Sequence, residues 1–173
     1  MVTSVDDLTT RPAAVADVPR LATLVAEGFR TYRDFAPADW APPADEEHTE
    51  YLEAALEDPD TWSLVAEHGS ELAGHVIVIP AAHSRAPVPD AGLAHFFQLF
   101  VTRSWWGTGL ATTLHGAAVS AARERGYDAM RLFTPAPQAR ARRFYEREGW
   151  ALETPPHAVE HLPFDMTEYR LAL

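Results

Sequence analysis

The residues from Val101 to Ala111 read Val-Thr-Arg-Ser-Trp-Trp-Gly-Thr-Gly-Leu-Ala. A β-like apolar run precedes them and a helix-periodic run follows, so the segment is predicted as a strand-to-helix turn. Such a turn offers unpaired N–H groups at the positive end of a helix dipole, which is an anion site. Gly107 and Gly109 remove the Cβ atoms that would keep a phosphate from the backbone. Taken alone, a Gly-x-Gly reads as a structural turn as readily as a phosphate cradle. The other phosphate motifs fall away. All 14 basic residues are arginines, so the lysine of a Walker loop is missing. Thr112 stands where a dinucleotide fingerprint needs its third glycine. There is no Gly-x-Ser-x-Gly elbow. Zero cysteines exclude a thiol nucleophile, a thiolate metal site and a disulfide framework.

A second segment, Gln138-Ala-Arg-Ala-Arg-Arg-Phe-Tyr-Glu-Arg-Glu-Gly-Trp150, follows the next short β-like run. In order and spacing the two segments together resemble the GNAT N-acetyltransferase superfamily. That family carries Gln/Arg-x-x-Gly-x-Gly/Ala before one helix and Asn-x-x-Ala-x-x-x-Tyr, closing at Gly-Phe, on the next. Ser104-Trp-Trp-Gly107-Thr108-Gly109 is laid on the first motif. Gln138-x-x-Ala141-x-x-x-Tyr145 through Gly149-Trp150 is laid on the second. The match runs from His95 to Trp150. Ser104 departs from the usual Arg or Gln, with Arg103 one residue earlier, and Gln138 departs from the usual Asn.

The resemblance implies acetyl-CoA as co-substrate, wedged between the central strands of a splayed sheet, with no metal. It implies that the backbone of Phe100 and Val101 pairs with the pantetheine arm. The amides of Trp106, Gly107, Thr108, Gly109 and Leu110 would hold the pyrophosphate, and Gln138, Ala141 and Phe144 would complete the cofactor site. Tyr145 would protonate the departing thiolate, a phenol being an effective donor as the bond breaks. His95 lies where several family members carry a catalytic Glu. It reads either as the base or as a histidine hydrogen-bonded within the sheet, with His75 a weaker candidate. Phe29, Tyr32 and Trp40 would line the acceptor entrance, or serve as core. His157 and His161 have helical metal spacing, but Pro155, Pro156 and Pro163 leave little helix there and no third ligand is visible.

These residues need elements to hold them. Thr9 to Val15 is predicted as an edge strand and Asp17 as an N-cap, with Pro19 in the first turn that follows. Val18, Leu21, Val25, Phe29 and Tyr32 recur at helical spacing, and Glu46 to Leu56 is an acidic helix. Trp62 to His68 and Leu72 to Ile79 form a hairpin across Gly69-Ser70. His95 to Val101 is a central strand, Leu110 to Arg125 a helix closed by Gly126, and Met130 to Phe133 a short strand. Gln138 to Glu148 is a helix, Met166 to Leu171 a last strand, and Leu152 to Pro163 is left without an element. The class is α/β or α+β, a mixed sheet flanked by helices.

Length and charge bound the rest. The chain has 173 residues, which favours one domain over 1–173 with a core that needs no staple. The formal charge of −11 argues against nucleic acid as a partner. No apolar stretch reaches the length of a membrane span and no signal peptide is visible, so a cytoplasmic protein is expected. Residues 1–90 hold 5 arginines against 17 acids, and residues 91–173 hold 9 against 8. An anion would be tolerated in the second half. The expected activity is direct transfer of acetyl to a primary amine of a small molecule. A protein N-terminus or side chain is the enzymatic alternative, and a non-catalytic acyl-CoA sensor the rival class. The resemblance also implies a homodimer.

Overall fold

The computed structural model describes residues 4–160 and 162–173. Its strands are β1 (Thr9–Arg11), β2 (Trp62–His68), β3 (Glu71–Pro80), β4 (Leu93–Val101), β5 (Ala129–Pro135), β6 (Ala151–His157) and β7 (Met166–Ala172). The helices are α1 (Val18–Arg30), α2 (Asp45–Glu57), α3 (Leu110–Glu124) and α4 (Ala139–Arg147). All strands lie in one sheet of order β1-β2-β3-β4-β5-β7-β6. Neighbours are antiparallel except β4 and β5, which run parallel because the α3 crossover joins them.

One face of the sheet is buried by α3 and the other by α1 and α2. Leu110, Leu114, Ala118 and Ala122 of α3 pack on Val76, Val78, Phe96 and Met130. On the other face Val18 and Leu21 of α1 and Leu52 of α2 cover Val65, Ile77 and Ile79. The apolar spacing of α1 and α3 read from the sequence is what builds these two layers.

One irregularity opens the sheet. Ile77 pairs with Gln98 and Val78 with Phe96, so Phe97 is an extra residue in β4. A bulge of this kind bends its strand and increases the local twist. β4 meets β5 only from Leu93 to His95, opposite Ala129 to Arg131. Beyond His95 the two strands part, and the rest of β4 presents its free edge to a gap.

Several sequence expectations need correcting. The first strand ends at Arg11, and Val15–Asp17 is a 3-10 turn. Asp17 sits at the N-cap of α1, but its carboxylate makes no cap bond there. It takes both Arg11 guanidinium nitrogens at 2.7 Å and the Ala14 N–H at 2.9 Å. Tyr32 lies in the 3-10 turn Thr31–Asp34 that follows α1. Leu152 to Pro163, left without an element, contains most of β6. Pro155 and Pro156 are tolerated because β6 is the sheet edge and its pairing with β7 is irregular. His157 therefore lies on a strand, where helical i, i+4 spacing has no meaning, and its Nδ1 lies 3.0 Å from the Pro155 carbonyl. His161 lies outside the described residues.

Candidate active site

Beside the C-terminal end of β4 lies a cleft of about 840 Å³, bounded by β4, the turn before α3, α4 and the end of α1. Phe100, Val101, Trp106, Gly107, Gly109 and Leu110 line it from one side. Gln138, Ala141, Phe144 and Tyr145 line it from α4 and its approach. The sequence-predicted cofactor residues are thus brought together, with Thr108 turned away. Its hydroxyl donates to the Trp105 carbonyl at 2.8 Å and accepts the Leu110 N–H at 3.4 Å.

The amides of the turn divide into two sets. Trp106 N–H goes to the Arg103 carbonyl and Thr108 N–H to the Trp105 carbonyl. Among the described residues no backbone carbonyl accepts from Gly107, Gly109, Ala111 or Thr112. These are the unpaired donors of the first turn of α3 and its approach. Gly109 has φ +93, and a Cβ there would meet no protein atom within 4 Å. Its glycine serves the left-handed backbone that aims these amides, not a crowded contact. Ala111 and Thr112 were missed by the sequence reading. Laying Gln/Arg-x-x-Gly-x-Gly/Ala two residues later puts Gly109 and Ala111 on the small positions and Trp106 on the first. The indole N–H of Trp106 donates to the Val101 carbonyl at 2.8 Å, tying the turn to the end of β4. Ser104, given that first position from the sequence, only meets the Thr102 hydroxyl at 3.3 Å.

The cleft is electropositive. Arg103, Arg140, Arg143 and Arg147 border it, against Asp34 as the single bordering carboxylate among the described residues. The Arg140 guanidinium lies over the Trp106 ring. Burial, and then the neighbouring Arg103, weigh against its charge, a cost that an anion in the cleft relieves.

Tyr145 is half-buried among Phe96, Phe144 and Trp150, at centroid distances of 6.1, 5.3 and 5.9 Å. No protein group hydrogen-bonds its hydroxyl among the described residues. Burial, with the Tyr32 phenol as a second cause, raises its pKa above the ordinary phenol value, so it holds its proton. Gln138 lines the cleft while its Oε1 accepts the Thr134 hydroxyl at 3.3 Å.

The histidines are placed otherwise than expected. His95 is buried at 8% exposure, pairs with Arg131 across β4 and β5, and packs on Phe97 and Phe133. It does not border the cleft, and its Nδ1 has no partner, so the expected hydrogen bond within the sheet is not made through that atom. Burial, helped by Arg131, pushes its pKa down to about 3. His75 is fully buried, faces the Gln98 side chain at 2.9 Å, and is pushed down by burial to about 4. Both are neutral near pH 7.

Phe29, Tyr32 and Trp40 join Phe35 and Phe164 in one aromatic group, the Tyr32 and Trp40 rings stacking at 5.8 Å. Of these rings only Phe35 borders the cleft itself. Phe164 comes from the β6–β7 connection and carries no periodic signal by which the sequence reveals it.

The sequence and the fold match known proteins. The model of the acetyltransferase (GNAT) family matches residues 25–150. The chain belongs to that family and is an acetyltransferase that uses acetyl-CoA. A GCN5-related N-acetyltransferase from Kribbella flavida superposes with TM-score 0.75 at 19% identity, over 98% of this chain and 100% of that one. PaiA N-acetyltransferase from Thermoplasma acidophilum, in complex with coenzyme A, gives 0.72 at 17% identity over 93% and 97%. YncA from Salmonella typhimurium, with its cofactor acetyl-CoA, gives 0.70 at 18% over 96% and 94%. A sequence search of curated proteins finds no match. No helix among the described residues is long and apolar enough to cross a membrane.

Proposed function

We propose that residues 1–173 act as one N-acetyltransferase domain that moves acetyl from acetyl-CoA to a primary amine of a small molecule in a ternary complex. One observation carries this reading. A single cleft has unpaired first-turn amides of α3 at one end and the unpartnered Tyr145 hydroxyl at the other. The bound co-substrate supplies a thioester: amine nitrogen bonds to its carbonyl carbon, the C–S bond breaks, the thiolate takes a proton and the nitrogen loses one.

The chain's own groups serve the two ends. The amides of Gly107, Gly109, Ala111 and Thr112 bind phosphate oxygens, and Arg103, Arg140 and Arg143 balance their charge. The unpaired edge of β4 beyond His95 offers hydrogen bonds to an extended amide-bearing arm. Tyr145 holds a proton at Oη for the departing sulfur. We assign removal of the ammonium proton to water in the open cleft. His95, enclosed in the sheet and pushed down to about 3, is too weak a base near neutral pH to be given that step.

Asp34 at the cleft border, beside Phe35, supports an acceptor that arrives as a cation. A coenzyme-A release assay over mono-amines, di-amines and peptides with free N-termini tests the whole reading. Turnover should favour di-amines, with kcat/KM falling as salt rises, and Asp34→Asn should flatten that slope. Acetylation of peptide N-termini alone would replace the small-molecule reading. Absence of any thermal shift with acetyl-CoA would remove the cofactor site as drawn. At 100 times its dissociation constant a bound ligand stabilises by about 2.7 kcal/mol.

A further inference from the structure

His115 is a buried histidine on α3, 5% exposed, that the acetyl-transfer steps do not use. Its Nε2 accepts the indole N–H of Trp150 at 2.8 Å. That bond requires a lone pair on Nε2, so the ring is neutral and carries its proton on Nδ1. Nδ1 lies 3.9 Å from Glu148 Oε2, while Glu148 Oε1 accepts the Thr112 hydroxyl at 3.1 Å. Arg147 also reaches Glu148, at 3.2 Å.

The packing around the ring gives these bonds their meaning. His115 touches Phe96, Phe144 and Trp150 at 5.8, 5.9 and 6.1 Å. Those are the three rings that surround Tyr145. Thr112 carries one of the unpaired amides at the start of α3, and its side chain belongs to the same network. The phosphate end of the cleft and the proton-donor end are therefore joined through one chain of contacts, Thr112 to Glu148 to His115 to Trp150. A co-substrate that must present its phosphates at one place and its thioester at Tyr145 at the same time needs that separation held.

We propose that neutral His115 is a positioning residue, which sets Tyr145 against the start of α3 and releases it when protonated. Protonation puts a second N–H at Nε2, facing the indole N–H. Two donors cannot bond, and the tie between α3 and Trp150 is lost. Phe96, Phe144 and Trp150 bring no charge to the ring, and Glu148, itself tied to Arg147, is the charged group beside it. Burial favours the neutral form and Glu148 opposes it less strongly, so release falls below the ordinary imidazole pKa.

The proposal rests on the acetyl-transfer reading of this cleft, and its test has one arm that needs no turnover. In the wild-type protein, nitrogen NMR should find His115 protonated on Nδ1, and Tyr145 ring signals should move with the midpoint at which His115 titrates. A Tyr145 signal indifferent to that titration overturns the proposal, whether or not any amine is acetylated. In the kinetic arm, kcat should fall as pH drops through the same midpoint, with KM for acetyl-CoA steady. His115→Gln keeps an acceptor where Nε2 was and does not titrate, so it should keep kcat near pH 7.5 and lose the acid limb. His115→Phe and Trp150→Phe should lower kcat about tenfold at every pH, in line with the cost of a misplaced catalytic group. An acid limb that persists in His115→Gln, or full kcat in both phenylalanine variants, also overturns it.

Discussion

The guanidinium carbon of Arg140 lies 3.6 Å from the centre of the Trp106 ring, joining the first turn of α4 to the turn that opens α3. Arg103 approaches the same ring at 5.7 Å. The indole thus seats two cations at the mouth of the cleft and is anchored to Val101 by its N–H. Arg140→Gln should weaken acetyl-CoA binding at least about tenfold, the size of one charge-assisted hydrogen bond. Trp106→Ala should weaken it through loss of the turn's anchor. Calorimetry at two salt concentrations separates them, because only the Arg140 change should reduce the salt dependence of binding.

Tyr145→Phe keeps the ring among Phe96, Phe144 and Trp150 and removes the proton. The expected outcome is a kcat lower by roughly 100-fold with acetyl-CoA affinity unchanged. Because burial raises the pKa of this phenol, wild-type kcat should show no loss attributable to Tyr145 until pH exceeds the ordinary phenol range. A pH–rate series to the alkaline limit of stability checks both statements.

Gly28 on α1 faces the Phe100 ring so closely that a Cβ there would overlap it. The ring cannot retreat freely, since it also stacks on His75 at 5.8 Å. Alanine at position 28 gains up to about 1 kcal/mol of helix propensity but overpacks the contact, at a cost of about 1–3 kcal/mol. Chemical denaturation of Gly28→Ala should show a net loss, accompanied by weaker acetyl-CoA binding as Phe100 shifts β4.

Asp17 and Glu67 share Arg11, and Glu67 also takes Arg20 at 2.8 Å. Hydrogen bonds from Arg11 lead the causes that hold both carboxyls below their ordinary pKa. A carboxyl with a depressed folded pKa stabilises the fold above its unfolded value, near 4, and loses that contribution as pH falls through the folded pKa. Asp17→Asn should therefore cost stability at pH 7 and progressively less below about pH 4. Arg11 is half in water, which limits the cost to about 1–2 kcal/mol. Thermal melts from pH 7 to pH 3 would reveal the convergence of the two proteins.

The helices and the middle strands were legible because their signals are local. Leu110, Leu114 and Ala118 recur at the period of a turn, and Gln138 to Trp150 carries a motif whose spacing survives in a linear reading. β6 was not legible, because Pro155 and Pro156 argue against a strand unless its place at the sheet edge is already known. His95 looked chemical by its position on β4, and only packing on Phe133 and Arg131 enclosed it. The turn before α3 was legible, but the unpaired amides of Ala111 and Thr112 were not. The glycines mark where the backbone bends, while the unpaired amides are fixed by where α3 begins. The rings around Tyr145 come from β4, α4 and Trp150 three residues beyond α4, with His115 behind them on α3. No linear pattern records that meeting. Residue type and period determine which segments become helices and strands, since those depend on neighbours along the chain. Which unpaired donors, cations and phenols face one cleft depends on contacts between distant segments, and only the tertiary structure decides that.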